Sequence, residues 1–470
     1  MTVPLKTGRG RWIVAATVLG SSLAMLDSTV VNIALPDIGA DLDAQVQGLQ
    51  WTLSGYTLTL AAFILLGGSL GDRFGRRRVF ILGTVWFTAA SLLCGLSPNI
   101  ETLVAARILQ GVGAALLTPG SLALISASID PDDRGAAIGL WSGLGGVASA
   151  AGPLLGGWLV EVAGWRTVFL INVPLAIAVV FVAARHVPES LDPEAPKKLD
   201  FVGAAVGAFA LAGLTYGLIE TQLVPALAGI VALGLFVWLE RRSDHPLVPP
   251  TLFSSRVFVA ANLVTFAVYA ALGGVFFLLL LQLQIVVGYS PLAAGLSTLP
   301  ITALMLVLSS RAGALASRIG PRLPLTVGPV VAAAGLLLMT RIDQGASYVG
   351  SVLPAVVVFG LGLSTLVAPL TTAVLAAAPT EHAGTASGVN NAVARTSQLL
   401  AVAALPALAG IAGADYDRPD VFDAGFQTSM LVCAGLLVVG GAIAAVMIRA
   451  PRRGAASTVH CDVSGPRLTR

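Results

Sequence analysis

The chain has 470 residues, of which 56% are hydrophobic and 11% are charged, and its formal net charge is +3. A soluble protein of ordinary composition carries about 25% charged residues. This composition excludes a soluble globular domain and indicates an all-α polytopic membrane protein. The spacing of the three cysteines does not indicate a disulfide framework or a metal site.

The first predicted span, residues 12–34, carries Asp27 in the middle of a long apolar run. A carboxylate in such a position costs about 2.5–3.5 kcal/mol on insertion scales. We therefore expect Asp27 to face a polar cavity, to pair with a cation or to carry a proton, and each of these indicates transport. Lys6, Arg9 and Arg11 precede a span that is too long for a signal-peptide core. We expect a retained first helix that starts in the cytoplasm.

The loop after the second span reads Gly-Gly-Ser-Leu-Gly-Asp-Arg-Phe-Gly-Arg-Arg-Arg over residues 67–78. Its glycines permit a tight turn, and its aspartate can pair with the arginines or with a helix N-terminus. Such a cluster can lock one conformation and release it in another. The alternative is a set of positive charges that only fixes the topology. The predicted gate comprises Gly68, Asp72, Arg73, Gly75, Arg76 and Arg77.

The fourth span, residues 101–127, contains Arg107, with Gln110 one turn further on the same face. An arginine inside the membrane usually faces the bundle interior, although one near a helix end can also extend to the surface. At 1.5 Å per residue, Asp27 and Arg107 lie roughly 10 Å and 9 Å from the outer ends of their spans. We predict that they couple across a cavity.

The fifth span, residues 135–160, is rich in glycine and contains a Gly-Pro step. Small residues let helices approach closely, and the proline invites a kink. The segment is predicted to act as a hinge or as a tight seal, and plain close packing is compatible with both. The motif residues are Gly143, Gly152, Pro153, Gly156 and Gly157.

Further polar side chains in the predicted spans are candidates for lining a cavity. Packing and helix–helix hydrogen bonds explain each of them about as well. The candidates are Asn32, Tyr56, Gln110, Gln282, Gln284, Asn390, Asn391 and Arg395.

Each crossing of the membrane requires about 20 apolar residues. By this criterion, fourteen spans are predicted in all. The eleven not yet given are 49–70, 79–97, 165–184, 201–219, 223–239, 257–281, 292–309, 323–340, 349–369, 385–409 and 427–448. Arginine and lysine concentrate in alternate loops, which the positive-inside rule assigns to the cytoplasm together with both termini. The predicted domains are residues 1–190, 191–250, 251–450 and a disordered cytoplasmic tail, 451–470.

An internal repeat supports this division. The segment Gly-Ser-Leu-Gly-Asp-Arg-Phe-Gly-Arg-Arg from Gly68 aligns with Gly-Ala-Leu-Ala-Ser-Arg-Ile-Gly-Pro-Arg from Gly313. A second echo, at nearly the same offset, aligns residues 135–139 with 384–388. Parallel repeats of this kind build transporters with a central site, so we expect two six-helix bundles with a two-helix insert. Ser317 replaces Asp72 in the second copy, which weakens a second carboxylate gate.

Four segments resemble motifs of the major facilitator superfamily. They are residues 26–36, 68–78, 107–113 and 143–157. The first of them, together with Trp-Arg-Thr-Val-Phe-Leu-Ile-Asn-Val-Pro at 165–174, resembles the fourteen-helix drug:proton antiporter subfamily of multidrug efflux proteins. The resemblance implies alternating access and export of hydrophobic or cationic compounds across the cell membrane, driven by the proton gradient. Asp27 and Arg107, which we predict to couple from their similar depth, both lie in these motifs.

Other function classes fit less well. An exporter or flippase of lipid-like molecules is an open alternative on the same scaffold, and the resemblance argues against a symport importer. An enzyme would need a catalytic cluster or an activated nucleophile, and neither is present in the sequence. No nucleotide-binding Gly-x-x-x-x-Gly-Lys-Ser/Thr loop is present either. We expect protons, a hydrophobic small molecule and the lipid bilayer as partners, and no cofactor, nucleic acid or nucleotide.

Overall fold

The computed structural model describes residues 2–191, 200–243, 246–248, 250–377, 383–413, 415 and 418–448. The predicted tail, 451–470, lies outside these residues. Within them the regular structure is helical, apart from one isolated bridge that pairs Val3 with Ile129.

Fifteen α-helices follow one another in the described part of the chain. Those of the first part are α1 (Gly8–Leu42), α2 (Val46–Phe74), α3 (Arg76–Gly95), α4 (Ile100–Ser128), α5 (Pro131–Ala163), α6 (Thr167–Leu170) and α7 (Asn172–His186). Those of the remainder are α8 (Phe201–Ile219), α9 (Leu223–Arg242), α10 (Arg256–Leu281), α11 (Pro291–Ile319), α12 (Arg322–Met339), α13 (Leu353–Ala376), α14 (Ala383–Leu408) and α15 (Pro419–Met447). A 3-10 turn, Pro250–Ser254, precedes α10, and π-helical turns at Gln282–Val286 and Tyr348–Val352 extend α10 and α13.

Twelve helical segments of the described residues are long and apolar enough to cross a membrane. The chain is therefore a multi-pass membrane protein, as its composition predicts. Each of the fourteen predicted segments coincides with a long helix, with α6 and α7 together forming the sixth. Helices α5 and α14 are not among these twelve. In α5, the apolar stretch is the shorter segment Ala151–Ala163.

The long helices pack in two groups. Helices α1 to α7 contact mainly one another, and so do α10 to α15. The main contacts between the groups are α5 with α11 and α2 with α14, together with a smaller contact between α1 and α10. These few pairs form a seam between the groups.

Two glycines that the internal repeat aligns play the same structural part. Gly75 follows α2 with φ +110°, and Gly320 follows α11 with φ +88°. Each donates its backbone N–H to the last turn of the preceding helix, at Gly71 and Ala316 respectively. L-residues with side chains rarely adopt positive φ, so glycine is required at both turns. The repeat seen in the sequence is thus a repeat of backbone conformation.

Helices α8 and α9 form a hairpin outside the two groups. Helix α8 contacts both α2 and α14, while the apolar side chains of α9 are largely exposed, as at Val224 (78%). Trp51 of α2 donates its indole N–H to the Glu220 carboxylate at 2.8 Å. The hairpin therefore lies at the edge of the seam, and α9 presents its apolar surface outward.

Gly113 offers a test of the close approach between α3 and α4. A Cβ atom at Gly113 would lie 2.5 Å from the Phe87 backbone nitrogen, so we expect Gly113→Ala to destabilise the protein by about 1–3 kcal/mol, as overpacking typically does. The matched control is Gly139→Ala in α5, where the added Cβ meets nothing within 4 Å. Thermal unfolding of detergent-purified protein measures the difference, and equal midpoints for the two variants would contradict the packing.

Candidate functional site

Asp27 and Arg107 form a buried ion pair between α1 and α4. Asp27 is 1% exposed and Arg107 is fully buried. The guanidinium Nη1 lies 2.5 Å from the carboxylate Oδ2 of Asp27. The structure therefore brings together the two charges that were expected to couple, and it does so by direct contact.

Two amides complete the environment of the carboxylate. Gln110 Nε2 donates to Asp27 Oδ1 at 2.8 Å, and Asn172 Nδ2 donates to the same oxygen at 3.1 Å. With Arg107, the carboxylate accepts hydrogen bonds from three side chains on α4 and α7. A buried carboxylate needs such partners to offset the loss of water.

Arg107 is satisfied in the same way. Its Nη1 also donates to Gln110 Oε1 at 2.6 Å, and its Nε donates to the Thr52 carbonyl at 3.0 Å. The guanidinium carbon lies 4.3 Å from the ring centroid of Tyr56 and 5.7 Å from that of Phe169. A planar cation between aromatic rings gains cation–π attraction, which is stronger where water is excluded. The Arg107 guanidinium is therefore surrounded by the Asp27 carboxylate, the Gln110 amide, the Thr52 carbonyl and two aromatic rings.

The local sequence explains how the helices come this close. Arg107 and Gln110 are three residues apart, so they share a face of α4. Gly111 follows them, and its backbone packs directly against α2. A Cβ atom on Gly111 would collide with the Tyr56 carbonyl and with Thr59. The glycine thus lets α4 approach α2 closely enough for Arg107 to reach the Thr52 carbonyl.

Asn172 is held by a further hydrogen-bond chain. Its Nδ2 also donates to Ser91 Oγ at 2.9 Å, and that hydroxyl donates to the Phe169 carbonyl at 2.9 Å. Asn172 is the first residue of α7, directly after the interruption at Ile171 that separates α6 from α7. The interruption lets the side chain enter the network, and α3 and α7 fix its position.

Sequence reasoning missed three members of this network. Asn172 lies within the segment 165–174 that carried the family resemblance, and a lone amide in an apolar span was a usable signal. Ser91 gave no comparable signal, because serine is common in membrane helices. Thr52 contributes only its backbone carbonyl, which no residue type reveals.

The predicted gate is a compact turn between α2 and α3. Asp72 Oδ1 accepts from Arg76 Nε at 2.8 Å. Gly68 packs near Pro119 of α4, 3.6 Å from the position of a Cβ, and the guanidinium of Arg73 lies over the Phe74 ring at 5.2 Å. Asp72 therefore pairs within its own loop.

Glu189, just after α7, anchors this loop and was not foreseen. Its Oε1 accepts from the Arg77 backbone N–H at 3.0 Å, and its Oε2 lies 3.7 Å from the guanidinium Nε atoms of both Arg77 and Arg78. A Cβ on Gly75 would lie 2.7 Å from the Glu189 carboxylate. The glycine of the motif thus leaves room for the carboxylate as well as making the turn.

The glycine motif of α5 lies against two other helices. Gly152 faces the Thr29 side chain of α1, and Gly156 would place a Cβ 3.1 Å from the Val30 Cα. Gly157 would place one 2.6 Å from the Leu292 Cα of α11. The motif therefore seals α5 against both helix groups at this level.

The other half of the motif is open. A Cβ on Gly143 meets nothing within 4 Å. Near Gly157, the Pro153 carbonyl oxygen lies against Gly295 of α11, and a Cβ atom on Gly295 would collide with it. The contacts with the second group that these glycines define lie toward the C-terminal end of α5.

The remaining cavity candidates near the seam fall into different settings. Asn32 Nδ2 donates to the Ser28 carbonyl of its own helix at 2.7 Å. Gln284 Nε2 donates to the Ile33 carbonyl at 3.1 Å and so bridges α1 to the π-helical end of α10. Gln282 is fully buried and donates to the Ile342 carbonyl at 2.6 Å, so it packs within the second group and does not line the seam.

Three candidates lie on α14. Asn390 Nδ2 donates to Thr265 Oγ1 at 2.8 Å and to Asn262 Oδ1 at 3.2 Å, both on α10. Asn391 and Arg395 are half-buried. Arg395 Nη1 donates to Gln398 Oε1 at 3.4 Å, which is a long contact. None of the three touches the Asp27 network directly.

The ion pair can be tested by its energetic coupling. Arg107→Gln and Asp27→Asn each leave one buried charge without its partner, so we expect each to destabilise the protein by about 3–5 kcal/mol. The double variant removes both charges and should lose much less than the sum. Thermal unfolding of the four proteins measures this, and strictly additive losses would contradict a direct buried pair.

Comparison with curated proteins gives relatives along most of the chain. The Multidrug resistance protein Stp of Mycobacterium tuberculosis (strain CDC 1551 / Oshkosh) is 36% identical over 387 residues, covering 80% of this chain and 72% of that protein. The Tetracenomycin C resistance and export protein of Streptomyces glaucescens is 35% identical, covering 85% and 76%. The Puromycin resistance protein of Streptomyces alboniger is 34% identical, covering 97% and 95%.

Solved structures share the fold at low identity. A bacterial homolog of the human lysosomal transporter Spinster, in an inward-facing and unoccupied conformation, has a TM-score of 0.65 at 18% identity and covers 94% of this chain and 97% of its own. The POT family transporter PepTSo has a TM-score of 0.68 at 15% identity, covering 93% and 97%. At this identity the likeness concerns the fold alone.

The family model described as Major Facilitator Superfamily matches residues 17–402. The matched range contains the Asp27 network, the α2–α3 turn and the α5 glycine motif. Together with the relatives above, it shows that this chain belongs to the Major Facilitator Superfamily and is a multi-pass membrane transporter, not an enzyme.

Proposed function

We propose that this protein exports hydrophobic drugs or natural products across the cell membrane in exchange for protons. The observation that carries the proposal is the buried Asp27–Arg107 pair, because ionisable residues inside a membrane segment are costly and rare, and they commonly mark substrate, ion or proton pathways. Relatives named for multidrug resistance and for tetracenomycin C resistance and export support the direction and the substrate class. Asp27 is the proton carrier, and Arg107 is its partner.

Protonation of Asp27 would remove the attraction that holds Arg107. The neutral acid keeps hydrogen-bonding capacity for Gln110 and Asn172 but no longer balances the guanidinium charge. Arg107 would then be held mainly by its contacts with the Thr52 carbonyl and the Tyr56 ring, both on α2. One proton thus changes the balance of forces among α1, α2 and α4. These helices form the element with two alternative arrangements that a coupled transporter requires.

Alternating access is supported by the contacts along the seam. We call the end of the bundle at the α2–α3 loop around Gly75 the basic end, and the end at the α1–α2 loop around Asp43 the acidic end. Toward the acidic end, Gly157 touches Leu292 and the Gln284 side chain bonds to Ile33.

Toward the basic end, a Cβ atom on Gly139 or Gly143 of α5 would meet nothing within 4 Å. With the basic end on the cytoplasmic side, as the positive-inside rule favours, this arrangement is open to the cytoplasm. The Asp72 turn and Glu189 would then form the gate that rearranges when the basic end closes.

We propose the fourteen-helix architecture of the drug:proton antiporter subfamily for this chain. The helices α5 and α14 would cross the membrane beside the twelve apolar segments, because their partners α1, α11, α2 and α10 all do. Residues 1–190 and 251–450 form the two bundles, residues 191–250 form the insert, and both termini are cytoplasmic.

The proton-carrier role is tested by Asp27→Asn. We expect this variant to insert and fold, with the lower stability predicted above, but to lose at least about 90% of pH-gradient-driven dye efflux from liposomes, a loss that corresponds to about 1.4 kcal/mol of transition-state stabilisation. Asp343→Asn, in the exposed loop after α12, is the matched control and should export normally. Full gradient-driven export by the Asp27 variant would sink the assignment. Movement of labelled lipid without dye export would favour the lipid-exporter alternative.

The two ends of the α5 motif allow a directional test. Gly157→Val crowds the contact with Leu292 and should favour opening of the acidic end, whereas Gly143→Val should obstruct closure of the basic end. Thiol labelling of a single cysteine placed at the acidic end is expected to speed up in the first variant and to slow down or stay unchanged in the second. Equal labelling rates in both variants would count against alternating closure along α5.

A further inference from the structure

Arg395 is a second cation on the seam, distinct from the Asp27 pair. It lies on α14, which contacts α2 on one side and α10 on the other. Two contacts bracket it along the α2–α14 pair: Gly388 packs near Leu65, and Gln50 Nε2 donates to the Val402 carbonyl at 2.8 Å. Arg395 therefore occupies the middle of the seam.

The charge of Arg395 is not balanced by a nearby carboxylate. Within the described residues, no acidic side chain lies within 4.0 Å of its guanidinium. Its hydrogen bond to Gln398 is long, at 3.4 Å. Asp27 cannot serve, because its carboxylate is enclosed by Arg107, Gln110 and Asn172. Among the residues that the structure describes, Arg395 is therefore a seam cation without a carboxylate in contact.

Amide side chains accompany Arg395 on its own helix. Asn391, Arg395 and Gln398 are four and three residues apart and share one face of α14. The charge of Arg395 acts on the hydroxyl groups of Tyr56 in the first helix group and of Tyr269 in the second. The guanidinium therefore lies within electrostatic range of both helix groups, with amides along its own helix.

We propose that Arg395 binds an acidic group, a carboxylate or phenolate, on a hydrophobic substrate. Guanidinium presents paired donors that match a carboxylate, and it prefers such partners and aromatic faces to other surroundings. Permanent cations are disfavoured because the accessible charge is positive and the carboxylate is enclosed. This inference rests on the proposed export function and narrows its substrate class to hydrophobic compounds that carry an acidic group.

The test uses two xanthene dyes of similar shape and opposite charge. Anionic fluorescein and cationic rhodamine 123 are titrated at pH 8 against the purified protein in nanodiscs, with fluorescence polarisation as the readout. We expect fluorescein to bind more tightly than rhodamine 123. Arg395→Gln should weaken fluorescein binding by about tenfold or more, as expected for loss of a charge-assisted hydrogen bond, whereas Arg395→Lys should retain most of it.

Two further variants keep the test decisive. Asn391→Asp places a carboxylate one turn from an intact Arg395 and should also weaken fluorescein binding, even if Arg395→Gln folds poorly. Arg341→Gln, at an exposed position after α12, is the charge-matched control and should bind like the unmodified protein. Fluorescein binding that is no tighter than rhodamine binding, or that is unchanged by both Arg395→Gln and Asn391→Asp, overturns the proposal.

Failure of the export function gives a different result. Binding in nanodiscs needs no proton gradient, so Asp27→Asn should still bind fluorescein while it loses gradient-driven efflux. Binding that depends on Arg395, without any gradient-driven efflux by the unmodified protein, would refute proton coupling and leave the acidic-group site standing. Gradient-driven efflux of rhodamine 123 in preference to fluorescein would refute the site and leave coupling intact.

Discussion

The electrostatic neutrality of the Asp27–Arg107 pair is the constraint on which the rest of the structure depends. Two opposite charges buried between helices are tolerable only together, since an isolated buried charge is penalised by several kcal/mol. The pair joins α1 to α4 directly, and its hydrogen bonds extend to α2 at Thr52 and to α7 at Asn172. A change in the charge of Asp27 therefore alters interactions that involve four helices.

Small residues transmit this constraint to the ends of the molecule. Gly111 brings α2 and α4 close enough for the pair to form, and Gly152 and Gly156 hold α5 against α1 beside Asp27. Gly157 carries the same helix onto α11 of the second group. Packed helices with two discrete arrangements can couple distant sites, and α5 is the element that links the charged centre to the seam.

Much of this arrangement was accessible from the sequence because membrane physics is restrictive. The apolar runs predicted the helices, and the rarity of charge inside them singled out Asp27 and Arg107. The repeat aligned Gly75 with Gly320, which share a turn conformation in the structure. The missing parts depended on three-dimensional approach: the Thr52 contact uses a backbone carbonyl, and Glu189 reaches the α2–α3 turn from a loop more than a hundred positions away.

The sequence could not distinguish packing from cavity among its polar candidates. Gln282 and Arg395 both read as polar residues in apolar spans, yet the first is fully buried in its own group and the second is half-buried on the seam. Helix periodicity fixes a face only relative to the helix itself. Which neighbour that face meets depends on how the two groups are docked, and one sequence does not give that.

The central claim is that substrate binding and the protonation of Asp27 are linked. The most direct measurement is proton release into a weakly buffered solution when a transported dye is added to the purified protein. The account predicts dye-dependent proton release by the unmodified protein, from the fraction of molecules in which Asp27 is protonated, as linkage between two ligands requires, and none by Asp27→Asn. Equal proton release from both proteins would contradict it.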